Sequence, residues 1–173
     1  MRTPIVVAMA LATALAAGHW MTHQRGVPGA PGREIHRVSY VYDGDTIKLD
    51  NGERVRLIGI DAPEAHDNEK LSRDVAHRRI DRRRQLSMGQ EAARFVRPLL
   101  QGQQVRLEFD VERRDRYHRL LAYVYLSDGT FVNEKIIHEG YAYPLTVPPN
   151  VRYADLFRRW FDEARQNRKG LWR

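Results

Sequence analysis

Residues 43–64 read D-G-D-T-I-K-L-D-N-G-E-R-V-R-L-I-G-I-D-A-P-E. Two runs of alternating apolar residues, 45–50 and 53–60, flank Asn51-Gly52. Asn-Gly in that setting signals a hairpin, because both residues tolerate positive φ and a two-residue type I′ turn matches strand twist. Such a turn pairs Asp50 with Glu53, Ile47 with Arg56 and Thr46 with Leu57, and it sets Asp45 and Arg56 on one face. It also brings Asp45 and Asp61 together at the hairpin's ends. Neighbouring carboxylates repel unless one takes a proton or a cation lies between them. A hard cation with oxygen ligands, such as calcium, resolves the repulsion. Arginines in a surface salt-bridge cluster do so as well, and the residues alone leave both solutions open.

Outward from this hairpin, 35–42 reads as a strand before it. Residues 65–86 form a long polar excursion, and residues 88–101 a helix with Ala92, Phe95, Val96 and Leu99 on one face and Pro98 within it. Residues 105–111 alternate as a half-buried strand, and 120–126 form another. Asn133 is expected to cap a short helix that runs to His138 and stops at Gly140. The last helix carries Tyr153, Leu156, Phe157, Trp160, Phe161 and Ala164 on one stripe, which reads as core. Five strands arriving as three, a helix, then two, with two helices after, predict an α+β fold: a five-stranded OB-type β-barrel with about three helices.

The chain has 173 residues, no cysteine, a formal charge of +7 and a pI near 10. Disulfides and thiolate metal sites are excluded, and an anionic partner is compatible with the charge. Residues 73–84, R-D-V-A-H-R-R-I-D-R-R-R, hold six arginines and two aspartates. Residues 1–21 combine Arg2 with a short apolar run and an Ala14-Leu15-Ala16 cleavage pattern, as in a signal peptide or an N-terminal membrane anchor. A Gly/Pro linker over 22–34 follows, and a folded domain over 35–172. Export, secreted or periplasmic, is the expectation, with a monomer as the default. Walker, G-x-S-x-G and Cys/His patterns are absent, and the seven histidines suggest no zinc site.

Four pieces of sequence can do chemistry together: Asp43-Gly44-Asp45-Thr46, Arg56, Asp61-Ala62-Pro63-Glu64 and Asp115-Arg116-Tyr117-His118-Arg119. Hydrolysis of a phosphodiester requires a cation on a phosphate oxygen, donors that favour the transition state, and a base for water. Asp45 and Asp61 with a metal, Arg56 and Arg119 on phosphate, and Glu64 as base would fill those roles.

At V-Y-D-G-D-T-I-K-L, R-L-I-G-I-D-A-P-E and D-R-Y-H-R-L-L-A-Y the chain resembles the staphylococcal nuclease-like (thermonuclease) family. M-G-Q-E-A-A at 88–93, V-N-E-K-I-I-H-E-G-Y-A at 132–142 and the closing G-L-W support the resemblance, which runs from Ile35 to Trp172. It implies calcium-dependent endo- or exonucleolytic cleavage of DNA or RNA that leaves 3′-phosphate ends. It also implies calcium ligands at Asp45, Asp61 and the Ala62 carbonyl, a supporting carboxylate at Asp43, and a general base at Glu64. Arg56 and Arg119 match the phosphate-binding arginines, and Tyr117, with its neighbour Arg116, lies near the bound nucleotide. Arg78, Arg79, Arg82 and Arg83 form either a polyanion clamp beside the site or one side of a solvated charged helix. The alternative is a non-catalytic OB-type module that binds nucleic acid or another polyanion. Such a module has no need to keep the metal acids, the base and both arginines together. Two departures stand out. His118 replaces a family glycine, which leaves the turn and the aim of Arg119 open. Tyr141 and Tyr143 fall short of the family's two pocket tyrosines, and residues 146–149 occupy that region.

Overall fold

The structure is a computed structural model that describes residues 34–78 and 81–173. The expected signal or anchor segment and most of the linker lie outside the described residues, as does Arg79 of the clamp. Among the described residues, no helix is long and apolar enough to cross a membrane.

Five strands close a barrel in the order β1 (Glu34–Val41), β2 (Thr46–Leu49), β3 (Arg54–Leu57), β6 (Leu120–Leu126) and β5 (Gln104–Glu108). Only the β3–β6 seam is parallel. Strand β1 serves two neighbours. Glu34 to Arg37 pair with β5, and beyond an irregularity between Val38 and Tyr40 the strand pairs with β2. Val38, Val41, Ile47, Leu49, Val55, Leu57, Leu107 and Val124 fill the interior and are essentially inaccessible to solvent. A separate two-stranded ladder joins β4 (Ile60–Asp61) to β7 (Tyr143–Pro144).

The hairpin register differs by one residue from a two-residue turn. Thr46 pairs with Arg56, Ile47 with Val55 and Lys48 with Arg54. Leu49 N–H donates to the Glu53 carbonyl at 2.9 Å and Gly52 N–H to the Leu49 carbonyl at 3.1 Å. Only Gly52 has positive φ, at 90°. The connection is therefore a three-residue loop with a left-handed glycine, the other solution that Asn-Gly permits. Downstream, the run 53–60 does not stay one strand. It breaks at Gly59 (φ 84°), where a Cβ would lie 2.0 Å from the Phe157 ring.

Among the described residues four α-helices accompany the barrel, against about three expected. The polar excursion contains α1 (Glu69–Arg78), and α2 (Arg82–Leu100) starts six residues earlier than its apolar face suggests. Asp81 accounts for the early start, because its carboxylate accepts from the Arg83 and Arg84 backbone N–H groups. In α3 (Val132–His138) the N-cap is Phe131, not Asn133. Asn133 is instead a fully buried bridge: its Oδ1 accepts from Val124 N–H and its Nδ2 donates to the Ile58 carbonyl. The stripe of α4 (Ala154–Gln166) is core, with Phe157 and Ala164 buried and Trp160 and Phe161 packed against the barrel cluster.

Candidate active site

The turn before β2 is built by Asp43. Its Oδ1 accepts from the backbone N–H groups of Asp45 (2.9 Å) and Thr46 (2.7 Å), which folds the chain so that the Asp45 side chain turns back under the barrel rim. There Asp45 is 3% exposed and Asp61 8%. Arg56 rises from β3 between them. Its Nη1 lies 2.7 Å from Asp45 Oδ1, and its Nη2 donates to Asp61 Oδ1 at 3.0 Å. Asp45 Oδ2 accepts from Ala62 N–H at 2.6 Å, which ties the two ends of the hairpin directly. So Asp45 and Arg56 do meet, although the register puts Thr46 opposite Arg56: Asp45 lies just before β2, with its carbonyl accepting from Leu57 N–H at 2.9 Å.

Charge in this cluster is unbalanced. Asp43, Asp45, Asp61 and Glu64 surround the single Arg56 guanidinium. Burial, reinforced by the charge of Asp45, holds the Asp43 carboxyl well above the usual carboxylate range. Burial works against charge on Arg56, but Asp45 and Asp61 outweigh it and keep the guanidinium protonated. Among the described residues no group of three or more acidic or histidine side chains is set to hold a metal ion. Their geometry explains this, since Arg56, Thr46 Oγ and Ala62 N–H engage the Asp45 oxygens. The chemistry of the set nevertheless fits a hard cation: the donors are all carboxylate oxygen, and they carry an excess of negative charge.

Glu64 is 8% exposed, and Asn68 Nδ2 donates to its Oε2 at 2.7 Å. Its backbone is seated on α2. A Cβ at Gly89 would fall 1.9 Å from the Glu64 carbonyl oxygen, and one at Gly44 would fall 2.5 Å from the Ala62 Cβ and 3.1 Å from the Ala92 Cβ. Gly89 therefore meets the Glu64 backbone directly, and Gly44 meets the methyl groups of Ala62 and Ala92, an approach that only small residues allow. Alanine at a mid-helix glycine ordinarily stabilises by up to about 1 kcal/mol. Gly89→Ala should do the opposite, with a loss of roughly 1–3 kcal/mol from overpacking. Thermal melts read the effect.

Arg119 lies at the start of β6 and binds Asp115 through Nε (2.8 Å) and Nη2 (2.7 Å). Partial burial raises the Asp115 carboxyl, but hydrogen bonds from Arg119 outweigh it and leave the group below the usual carboxylate range. His118 adopts φ 61°, the left-handed conformation that glycine takes freely, and its N–H donates to the Asp115 carbonyl at 2.9 Å. Histidine thus does not abolish the turn. Tyr117 is 55% exposed, between the guanidiniums of Arg116 (4.8 Å from the ring centre) and Arg119 (5.5 Å).

Arg56, Arg119, Arg116 and Tyr117 line one cleft of about 400 Å³, and Leu145 and Val147 form its other wall. The four carboxylates are not among its lining residues; the cleft meets the acid cluster at Arg56. Tyr141 stacks on Phe95 at 4.2 Å and Tyr143 packs on Phe161 and Trp172, so neither lines the cleft. Arg82 is already paired with Asp67 and donates to Ser72 Oγ. Arg83 is exposed, with no side-chain partner among the described residues. Asn68 was not found from the sequence, Gly89 stood there only within a supporting motif, and Ala92 only as a residue of the helix's apolar face. An Asx residue just ahead of a helix and a glycine inside one were the available signals.

Residues 54–173 match the model for staphylococcal nuclease homologues. The chain is 39% identical over 142 residues to a thermonuclease of Staphylococcus intermedius, covering 80% of this chain and 76% of that protein. A thermonuclease of Staphylococcus hyicus is 34% identical over the same shares of each chain. The endonuclease YncB of Bacillus subtilis is 36% identical over 75% of this chain and 57% of its own length. The matched span holds the returning strand with Arg56, the Asp61 to Glu64 turn and the Arg119 loop on one barrel, and the chain belongs to the staphylococcal nuclease family.

Proposed function

We propose that the protein is an exported, calcium-dependent nuclease that hydrolyses phosphodiester bonds of DNA or RNA and leaves 3′-phosphate ends. That it is a phosphodiester hydrolase follows from its family; the roles of its residues are inferred from geometry. One observation carries the reading. Arg56 joins two buried carboxylates on one side and lines the same cleft as Arg119 on the other.

Asp45, Asp61 and the Ala62 carbonyl would hold calcium, with Asp43 in support. When bound, calcium supplies positive charge to a non-bridging phosphate oxygen. Arg56 and Arg119 donate to the phosphate, and their hydrogen bonds strengthen as charge builds on its oxygens. Glu64 takes the proton from the attacking water onto a carboxylate oxygen. As the new P–O bond forms, the bond to the 5′ oxygen breaks, and Arg119 stabilises the charge on that leaving oxygen. Tyr117, Arg116, Leu145 and Val147 border the space beyond the phosphate and would meet the nucleoside. Arg83, and Arg78 and Arg79 with it, would add a long-range attraction for the polyanion, read as the salt slope of DNA binding. Arg82, paired with Asp67 at the surface, would belong to the same group. Export is supported by the apolar N-terminal run in the sequence, and calcium is abundant outside the cytoplasm.

Cleavage of single-stranded DNA and of RNA, with calcium and with a calcium chelator, tests the reading. Calcium-dependent cleavage with 3′-phosphate products is expected. DNA binding without cleavage would instead mark a binding module.

A further inference from the structure

Helix α1 begins on Asn68. Its Oδ1 accepts from Leu71 N–H at 2.9 Å, and its carbonyl accepts from Ser72 N–H at 3.3 Å, the first turn of the helix. Asn68 is therefore the N-cap. A backbone N–H can only donate, so the amide oxygen must face the helix and the amide NH₂ must face away. There the NH₂ donates to Glu64 Oε2 at 2.7 Å. The segment between the two residues is held from outside as well: Asp67 pairs with Arg82 of α2, and Arg82 also donates to Ser72 Oγ at 3.2 Å. Gly89 of the same helix bears on the Glu64 backbone. One helix thus fixes the main chain of Glu64, and the cap of another fixes its carboxylate.

We propose that Asn68 is a positioning residue for Glu64, and that α1 is the mount from which the base is aimed. The inference rests on the reading of Glu64 as general base. Its physical content is a separation of two tasks in one amide. The oxygen starts the helix; the NH₂ holds a nearly buried carboxylate in one orientation by a short hydrogen bond. A side chain that keeps the acceptor and loses the NH₂ keeps the helix and releases the base.

Aspartate and serine are such side chains, since both cap helices about as well as asparagine. The test uses the full chain as wild type, Asn68→Asp, Asn68→Ser, Glu64→Gln and the double variant Glu64→Gln/Asn68→Ser. Melting temperatures are recorded, with kcat and KM on single-stranded DNA in calcium. Both Asn68 variants should melt near the wild type and keep KM within about twofold, while kcat falls about tenfold or more. The aspartate should be the worse of the two, because it sets a carboxylate against Glu64. In the Glu64→Gln background, Asn68→Ser should cost nothing further, because it acts only through Glu64. Wild-type kcat in both Asn68 variants would overturn the proposal, as would a loss confined to KM or an equal loss in the Glu64→Gln background. If Asn68→Ser melts early, Asn68→Asp carries the decision. Failure of the base reading looks different: Glu64→Gln itself would then keep wild-type kcat, and the role of Asn68 would fall with it.

Discussion

Replacing Arg56 with methionine should destabilise the calcium-free protein by about 3–5 kcal/mol, the usual consequence of removing one partner from a buried ion pair. That corresponds to a fall of roughly 10–20 °C in Tm for a domain of this size. Arg56 is 9% exposed and spans Asp45 and Asp61, which are buried too. Without it, Asp43, Asp45, Asp61 and Glu64 are left together with no guanidinium among them. Methionine keeps the length of the stem and removes only the charge and the donors. Added calcium should raise the Tm of the variant more than that of the wild type, because the vacated site is more anionic and binding to the native state stabilises it by mass action. Cleavage should stay low even when stability is restored, since a phosphate donor is gone. Calorimetry with calcium and with chelator reads the first effect, and the cleavage assay the second. Equal melting temperatures for variant and wild type would mean that the pair does not hold the hairpin ends together.

The second large effect should come from Glu64→Gln. Glutamine has nearly the shape of glutamate and can still accept from Asn68 Nδ2, so the loop from 64 to 68 should keep its form. What it cannot do is take a proton from water. General-base catalysis contributes about 10²–10⁴-fold, and the loss in kcat should fall in that range. Affinity for DNA should hold or rise slightly, because one negative charge leaves the site while Arg56 and Arg119 remain on the cleft.

Much of this was legible in the sequence, for identifiable reasons. The barrel strands alternate in sequence, and their buried residues are mostly Val, Ile and Leu, so period and polarity largely agree. The stripe of α4 repeats every three to four residues with aromatics and could be little else than core. Asp45 and Asp61 could be brought together because a hairpin must return near its start; Arg56 does join them, although the register that set it on the face of Asp45 is off by one. The register was not legible, because Asn-Gly supports both a two-residue turn and a three-residue loop. A charged helix was one of two readings of the arginine-rich stretch, but the bounds of α1 and the first turn of α2 were hidden, because arginines and acids dominate both and a polar segment has no apolar period to show. What starts them is Asn68 and Asp81, each acting through a single side-chain oxygen. Asn133 misled for a related reason. A residue type that usually caps helices can equally bridge buried backbone groups, and only the tertiary packing of α3 on β6 decides between them. The role of Gly89 could not be read, since it depends on how closely α2 approaches the Glu64 backbone.

Whether the acid and arginine cluster performs hydrolysis is decided by one comparison. The most direct measurement is single-turnover cleavage of single-stranded DNA prebound at saturating protein and started with calcium, comparing wild type with Glu64→Gln. The account predicts rapid cleavage by the wild type and a rate lower by about 10²–10⁴-fold in the variant, with the DNA bound equally in both. Equal rates in the two proteins would contradict it.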